Sequence, residues 1–317
     1  MKKRFIVKRP KRKIIPYFSF FACILCLLVI YHCLNISPIK LTDKELVTYL
    51  LKKSSFLEDD NFYSYIKSKL VNIYNEPINY LLIDKNINLK DPKNNSPPKP
   101  VVKEETEENP IIYIYNSHQT EEYAASSFVE FSVNPTVMIA NYILEEQFNK
   151  ASYKTLVEER NIKEVLNKNS WNYAYSYRAS RVFLEDVKKT TPSLKYFIDV
   201  HRDSLPKNKT TVEINGKKYA KLLFLIGLEN PTYQENLKFT EEINAKINEK
   251  YPNLSKGIYK KSGPGVNGVY NQDFSPRSIL IEMGGYQNTP TEVMNSTLAF
   301  AECYLEVIKS YETNIPS

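Results

Sequence analysis

The sequence predicts an α/β fold for residues 111–317, with a central mixed, mainly parallel sheet flanked by helices. Strand-like and helix-like patterns alternate along this region, and such alternation is typical of a sheet covered by helices. The chain of 317 residues is long enough to bury a large hydrophobic core. We predict strands at residues 111–116, 154–158, 194–200, 211–214, 219–226 and 278–282.

Proline, asparagine and glycine mark the predicted element ends. Asn134-Pro135 supplies an N-cap and a first-turn proline for a helix that we expect to end near residue 149. A second helix is predicted over residues 170–189, and a third follows Pro231 and ends near residue 250. Asn215-Gly216, between two β-rich runs, indicates a tight hairpin. We expect this hairpin to form a wall of the active-site groove.

The N-terminal region is predicted to be a membrane anchor. Residues 14–36 carry no Asp, Glu, Lys or Arg, and a bilayer crossing needs about 20 predominantly apolar residues. No small-residue cleavage site follows, which favours an uncleaved span over a signal peptide. Residues 1–13 contain eight Lys or Arg and no acid, so this tail is predicted to be cytoplasmic and the chain after about residue 37 extracytoplasmic. Removing these eight charges from the net +7 leaves −1, which argues against a nucleic-acid partner.

Residues 37–83 are predicted to form a helical stalk and residues 84–110 a linker. Thr42-Asp-Lys-Glu45 resembles a capping box, and residues 58–74 have helix-like apolar spacing. The linker is polar and Pro-rich, as extended segments are. Three of the four cysteines lie in the predicted span, so no disulfide can form outside it, and we expect Cys303 to be a buried small hydrophobic residue.

Only three histidines occur in the chain, and two of them lie in the predicted α/β domain. His118 and His201 each end a predicted buried strand, and Glu282 ends another. Ligands bind at the carboxyl ends of the strands in an open α/β sheet, so these side chains can share one site. Their composition is typical of a His/Glu zinc centre with a separate catalytic acid. The alternative, that both histidines are ordinary core or surface residues, has equal weight from the residues alone.

We predict zinc ligands at His118, Glu121 and His201. Glu121 is preferred to Glu122 because a residue three positions after His118 stands on the same side of a helical turn. These three ligands leave a coordination position open for water.

Further roles are predicted for neighbouring polar residues. Glu282 takes a proton from the activated water and passes it to the leaving nitrogen. Asp199 or Asp203, which flank the second histidine, can orient its ring. Arg202 and Arg277 are candidate partners for substrate carboxylates, although surface ion pairs are the alternative. We expect the Tyr-rich stretch at residues 171–177 to be a packed helix face rather than a sugar platform.

The same residues carry a family resemblance. In chain order they form the motifs IYIYNSHQTEEY (112–123), FIDVHRDS (197–204), residues 220–227 after the hairpin, YNQDFSP (270–276) and LIEMGGYQNT (280–289). Together these motifs closely resemble the stage II sporulation protein P family, over essentially all of residues 111–310. The resemblance implies an amidase-like fold, a single anchor and a helical stalk.

The resemblance also implies an activity. The family is similar to zinc-dependent N-acetylmuramoyl-L-alanine amidases and is associated with amidase and endopeptidase activity on peptidoglycan during engulfment of the forespore. It implies zinc at His118, Glu121 and His201, a catalytic Glu282, and stage II sporulation proteins D and M as partners. Two alternatives are a non-catalytic scaffold that binds the cell wall and a zinc peptidase that acts on proteins.

One departure from the family pattern concerns the first histidine motif. The family usually shows His-Thr-His where this chain has Asn116-Ser-His118. Asn116 weakens metal binding if the earlier histidine binds or orients the metal. We expect His118 to keep the ligand role, because it holds the spacing to Glu121.

Overall fold

The computed structural model describes residues 39–55, 109–124, 126–127 and 131–313. The predicted tail, the predicted span at 14–36 and most of the predicted stalk and linker lie outside the described residues. Within the described ranges, no helix combines the length and the apolar character that a bilayer crossing requires. The anchor and the predicted helix at 58–74 therefore stay predictions.

The described residues contain eleven strands and seven helices. The strands are β1 (Ile39–Lys40), β2 (Ile112–Tyr115), β3 (Ser126–Ser127), β4 (Phe131–Val133), β5 (Thr155–Val157), β6 (Tyr196–Asp203), β7 (Thr211–Ile214), β8 (Lys217–Ala220), β9 (Leu222–Gly227), β10 (Ser255–Lys261) and β11 (Ser278–Gly285). The helices are α1 (Asp43–Ser55), α2 (Met138–Lys150), α3 (Ile162–Lys168), α4 (Ser176–Thr190), α5 (Lys207–Thr210), α6 (Tyr233–Lys250) and α7 (Pro290–Thr313). Two 3₁₀ turns cover Tyr173–Tyr175 and Gln272–Phe274.

The chain divides into two compact units, of which the larger runs from 41 to 127 and from 133 onward. In the smaller unit, β1 pairs in parallel with the beginning of β4, and Ile39 lies opposite Phe131. The larger unit contains all of the features described below.

A six-stranded sheet in the order β10-β9-β11-β6-β2-β5 forms the centre of the larger unit. Neighbouring strands are parallel except β9 and β11, which are antiparallel. The predicted mixed, mainly parallel sheet flanked by helices is therefore confirmed. β2 is buried at all four positions, because a parallel strand with a neighbour on each side and helices over both faces is shielded from water.

Aromatic and aliphatic side chains fill the core. A cluster on one side of the sheet consists of Tyr113, Tyr115, Leu184, Val187, Leu194 and Phe197. Phe148, Phe239, Phe300 and Tyr304 of α2, α6 and α7 form a second aromatic group, with ring centroids between 5.2 and 5.9 Å apart. Cys303 of α7 is free and buried, as expected, and burial raises the pKa of its thiol to about 12.

The predicted capping box at the start of α1 is confirmed. The backbone N–H and hydroxyl of Thr42 each donate to a carboxylate oxygen of Glu45 at 3.0 Å, and the Glu45 N–H donates to the Thr42 hydroxyl at 3.3 Å. The carboxylate of Asp43 accepts from the N–H and hydroxyl of Thr136. This helix thus packs within the same compact unit as the sheet, and the rest of the predicted stalk lies outside the described residues.

Several element ends differ from prediction because backbone groups are used elsewhere. Helix α2 begins at Met138 instead of residue 135, since the Pro135 carbonyl accepts from the Tyr123 N–H at 2.8 Å. The predicted strand 219–226 divides at Lys221, whose N–H donates to Thr210 and whose carbonyl accepts from Gly284. Helix α4 begins at Ser176, after a 3₁₀ turn that replaces its predicted first turn.

The predicted hairpin is confirmed as β7 and β8. Ile214 lies opposite Lys217, and Asn215 and Gly216 have φ angles of 50° and 74°, as a type I′ turn requires. Strand β10 and the short helix α3 were not predicted. β10 is an edge strand with no fully buried residue and no alternation of apolar residues, so its sequence lacks the usual strand signal.

Candidate metal centre

Three neighbouring strands bring the candidate residues to one edge of the sheet. Strands β2, β6 and β11 are adjacent and parallel, so their carboxyl ends meet at this edge. Along β6 and β11, His201 lies directly opposite Glu282. His118 lies in the turn that follows β2. The structure therefore brings His118, His201 and Glu282 to the same edge of the sheet.

His118, Glu121 and His201 form a compact group of metal-binding donors. One donor atom from each lies within 4.8 Å of the others. The Glu121 carboxylate lies between the two imidazoles, 3.5 Å from Nδ1 of His118 and 3.6 Å from Nδ1 of His201. The Glu121 N–H donates to the His118 carbonyl at 3.0 Å, so a tight turn places these two residues side by side.

Glu122 does not take part in this group. Its side chain is exposed, and its backbone forms a bridge with Thr136. Its carbonyl accepts from Nε of Arg202 at 3.0 Å. The structure therefore brings Glu121, rather than Glu122, to the two imidazoles.

Asp199 and Ser117 fix the ring of His201. Asp199 is fully buried, and its Oδ1 lies 3.0 Å from Nε2 of His201. The Ser117 hydroxyl donates to Asp199 at 2.6 Å and lies 2.9 Å from the same ring nitrogen. Because a carboxylate only accepts, Nε2 carries the hydrogen and Nδ1 is the ring atom turned toward Glu121.

Asp203, the other candidate for this orienting role, has different partners. It forms an ion pair with Nζ of Lys256 at 2.7 Å and accepts from the Leu205 N–H at 3.0 Å. The structure thus assigns the orientation of His201 to Asp199. Ser117 was not singled out in the sequence, where only its position beside His118 could have drawn attention to it.

The charges of the donor group stabilise one another. Burial opposes the positive charge of His201, but Asp199 and Glu121 outweigh this effect and raise its pKa to about 10. Burial also opposes the charge of Glu121, but hydrogen bonds from both imidazoles and from the Arg202 N–H at 2.9 Å hold its pKa well below the ordinary value. Without metal, Glu121 is therefore an anion between two imidazoles.

The pKa of Glu282 is shifted in the opposite direction to that of Glu121. Burial, together with the charges of Asp203 and Glu121, raises its pKa to about 7, although His201 and Lys261 act in the other direction. A carboxyl group with a pKa near neutrality can both accept and donate a proton.

Donor residues and Glu282 line one cavity of about 660 Å³. Leu223, Leu225 and Leu280 contribute apolar side chains to it, and β10 contributes Lys256, Tyr259 and Lys261. No residue of the β7–β8 hairpin lines this cavity, so the predicted hairpin wall is wrong, and β10 supplies that wall. Arg202 also lines the cavity.

Tyrosine rings surround the donor group. Tyr173 stacks on His118 with ring centroids 5.1 Å apart, and Tyr177 lies 5.3 Å from His118 and 6.2 Å from His201. Tyr270 contacts Tyr177 edge to face at 5.2 Å. Tyr173 is 45% exposed. The Tyr-rich stretch is therefore part of the site's rim, not only a packed helix face.

Arg277 and Asn116 lie outside the donor group. The Arg277 guanidinium lies over the rings of Tyr196 and Tyr311, at 5.3 and 4.8 Å, at the amino end of β11, so the structure does not bring it to the site. The Asn116 amide donates to the Val200 carbonyl at 2.6 Å, and its oxygen accepts from Asn141 at 2.6 Å. Asn116 is therefore held in a buried asparagine pair and supplies no donor atom to the group of His118, Glu121 and His201.

The donor group fits zinc. Imidazole nitrogen and carboxylate oxygen are zinc ligands, and three protein ligands leave one position open. Nδ1 of His201 is free to bind because Nε2 is hydrogen-bonded to Asp199, and Glu121 is held by the Arg202 N–H. Such carboxylate–histidine support is typical of metal sites.

Fold and site together define an α/β protein with a His/Glu/His candidate metal centre at the carboxyl edge of its sheet. The family model described as stage II sporulation protein P (SpoIIP) matches residues 41–304. Stage II sporulation protein P of Bacillus subtilis (strain 168) is 33% identical over 233 residues, which cover 71% of this chain and 57% of that relative. The chain belongs to the stage II sporulation protein P family, and it spans a little over half the length of this curated relative.

Solved amidase structures show a more distant similarity. N-acetylmuramoyl-L-alanine amidase AmiC2 of Nostoc punctiforme is 10% identical, with 63% of this chain and 97% of that chain covered and a TM-score of 0.36. The CwlD amidase from Clostridioides difficile, solved in complex with the GerS lipoprotein, is 12% identical, with 63% and 99% covered and a TM-score of 0.40.

Proposed function

We propose that the chain is a zinc-dependent peptidoglycan hydrolase of sporulation that cleaves the amide between N-acetylmuramic acid and L-alanine. The observation that carries this proposal is the convergence of His118, Glu121 and His201 within 4.8 Å, in one cavity with Glu282. Membership of the stage II sporulation protein P family supports the biological setting.

The three donor residues hold zinc in this proposal. Bound zinc supplies Lewis acidity, which polarises a carbonyl group and lowers the pKa of water to roughly 7. Asp199 and Ser117 keep His201 in the tautomer that presents Nδ1, and the Arg202 N–H holds the Glu121 carboxylate in place. These contacts order the ligands before substrate binds.

Glu282 moves the proton. Its carboxylate takes a proton from the attacking water, whose oxygen bonds to the amide carbon. The carbon–nitrogen bond then breaks, and Glu282 returns the proton to the leaving nitrogen of L-alanine. A pKa of about 7 suits both steps, since efficient proton transfer needs a group poised near the working pH.

The location of this activity is proposed from the sequence alone. We propose a single-pass anchor at residues 14–36, with residues 1–13 in the cytoplasm and the catalytic domain outside. Protease added to intact protoplasts is expected to remove the domain after residue 111 and to spare the basic tail. Protection of that domain in sealed protoplasts would overturn this topology.

Stage II sporulation proteins D and M are proposed as partners, on the family resemblance. We expect each to be recovered with the chain when membranes of sporulating cells are crosslinked and solubilised. Recovery of neither protein would remove this part of the proposal.

Mass spectrometry of digested peptidoglycan tests the activity itself. Peptides released with a free L-alanine amino group indicate amidase activity, and opened cross-links indicate endopeptidase activity. Peptides released from casein, with muropeptides left intact, would instead indicate a zinc peptidase that acts on proteins. Well-folded protein that takes up no zinc on reconstitution and leaves peptidoglycan unchanged would identify a scaffold and overturn the proposal.

A further inference from the structure

The wall of the cavity formed by β10 carries positive charge. Lys256 and Lys261 both line the cavity, as does Arg202 on the side of the donor group. Positive side chains on one wall can attract an anionic group of a ligand, although Glu121, Asp203 and Glu282 line the same cavity. The partners of these three cations decide which of them is available to such a ligand.

Two of the three cations already have partners. Lys256 is paired with the carboxylate of Asp203 at 2.7 Å. The Arg202 guanidinium donates to the carbonyls of Glu122 and Asp203, at 3.0 and 3.4 Å. Both side chains are therefore engaged by the protein itself.

Lys261 differs from them, because it forms no ion pair with any residue that the structure describes. Its ammonium group lies 5.7 Å from the ring centroid of Tyr259, the neighbouring side chain on the same face of β10. It also acts on Glu282, whose pKa it lowers against the raising effects of burial and Asp203. Lys261 therefore lines the same cavity as Glu282 and has no acidic partner of its own among the described residues.

Strand register gives the separation, measured along the strands, between the backbone positions of Glu282 and Lys261. Glu282 lies opposite Leu223 of β9, and Lys261 lies opposite Gly227 of the same strand. Four residues of strand span about 13 Å, and an extended peptide covers this length with about four residues. Leu223 of the first row and Leu225 and Leu280 between the two rows line the cavity, so an extended peptide would cross an apolar surface on its way.

We propose that Lys261 is a specificity-determining residue that binds a carboxylate of the acidic stem peptide, within about four residues of the cleaved bond. This inference rests on the proposed function and extends it from the cleaved bond to the recognised peptide. Lys260 provides a matched control, because it is the adjacent lysine on β10, is exposed and does not line the cavity.

Binding to the full chain tests the inference. Zinc-loaded protein carrying Glu282→Gln, which binds without cleaving, is titrated by calorimetry with two N-acetylmuramoyl peptides. One peptide has free stem carboxylates, and the other has the same carboxylates converted to carboxamides. Adding Lys261→Met, which keeps the aliphatic stem, should weaken binding of the free acid about tenfold and leave the carboxamide unchanged. Lys261→Arg should keep the preference for the acid, and Lys260→Met should change neither affinity.

Other outcomes overturn the inference. Lys261→Met variants that bind both peptides as the parent does, or that lose affinity equally for both, would show that the ammonium group recognises no carboxylate. If the chain without Glu282→Gln cleaves the peptides while these results hold, the proposed function stands and only the inference fails. If the full chain neither binds nor cleaves either peptide, the proposed function fails and the inference fails with it.

Discussion

Replacing Glu282 by glutamine separates proton transfer from metal binding. Glutamine keeps the size of the side chain and much of its hydrogen bonding, but it cannot take a proton from water. General acid–base catalysis contributes roughly 10² to 10⁴-fold, so we expect kcat of Glu282→Gln to fall by about that factor. Zinc content should be unchanged, because the donor group consists of His118, Glu121 and His201.

Stability of the metal-free chain provides a second, independent measure of the same substitution. The raised pKa of Glu282, about 7 against an ordinary 4.5, corresponds to about 3 kcal/mol. The fold favours the neutral carboxyl group, so this stabilisation is complete below pH 4.5 and is lost as the pH rises through about 7. Glutamine cannot ionise. The wild type should therefore lose up to about 3 kcal/mol relative to Glu282→Gln between about pH 4.5 and about pH 8.5.

Urea unfolding with chelator at the two pH values measures this difference, and release of muropeptides with zinc measures kcat. Glu164→Gln is the control, because Glu164 is exposed on α3 and does not line the cavity; it should change neither quantity. Full hydrolytic activity of Glu282→Gln would remove this residue from the mechanism. Loss of zinc by Glu282→Gln, with retention by Glu121→Gln, would show that the ligand and the base had been exchanged. A pH-independent difference in stability would refute the burial argument.

Three further predictions follow from the contacts around the site and the first helix. Asp199→Asn should weaken zinc binding about 10 to 100-fold in competition with a chelator, and an unchanged affinity would show that Asp199 does not support His201. Zinc affinity of the wild type should rise about tenfold per pH unit between about pH 6 and about pH 9, because the pKa of His201 is about 10 and this ring must lose its proton to bind. A flat profile in the same competition assay would show that His201 is not protonated in the metal-free chain. Thr42→Ala should lower the free energy of unfolding by about 1 kcal/mol through loss of the cap. Thr48→Ala, within the same helix, should lower it by less. Equal decreases for the two variants in urea titrations would argue against the capping box.

Much of the central sheet could be predicted because its strands are local hydrophobic runs. The apolar segment before His201 and the one that ends at Glu282 each predicted a strand and the functional residue near its carboxyl end. Strand β10 escaped prediction, since an exposed edge strand has no buried face and hence no alternation of apolar residues. With it, the wall of the cavity and Lys261 were missed.

Which of two chemically similar residues contacts the site depends on contacts between distant parts of the chain. Asp199 and Asp203 stand on the same face of β6, and sequence spacing could not separate them. Lys256 of β10 pairs with Asp203, which leaves Asp199 for His201. Arg277 was a plausible carboxylate partner by composition, but the structure places it over two tyrosine rings at the amino end of β11.

The sequence by itself determined the α/β class and singled out His118, Glu121, His201 and Glu282 as candidates, because periodicity, short-range spacing and strand ends are local properties of the chain. Its motifs also carried the resemblance to the family. The tertiary structure alone decided which carboxylate orients His201, which tyrosines surround the donor group and which cation lacks a partner. These depend on strand order and register, since pairing β6 with β11 and β9 with β10 brings together residues that are far apart in sequence.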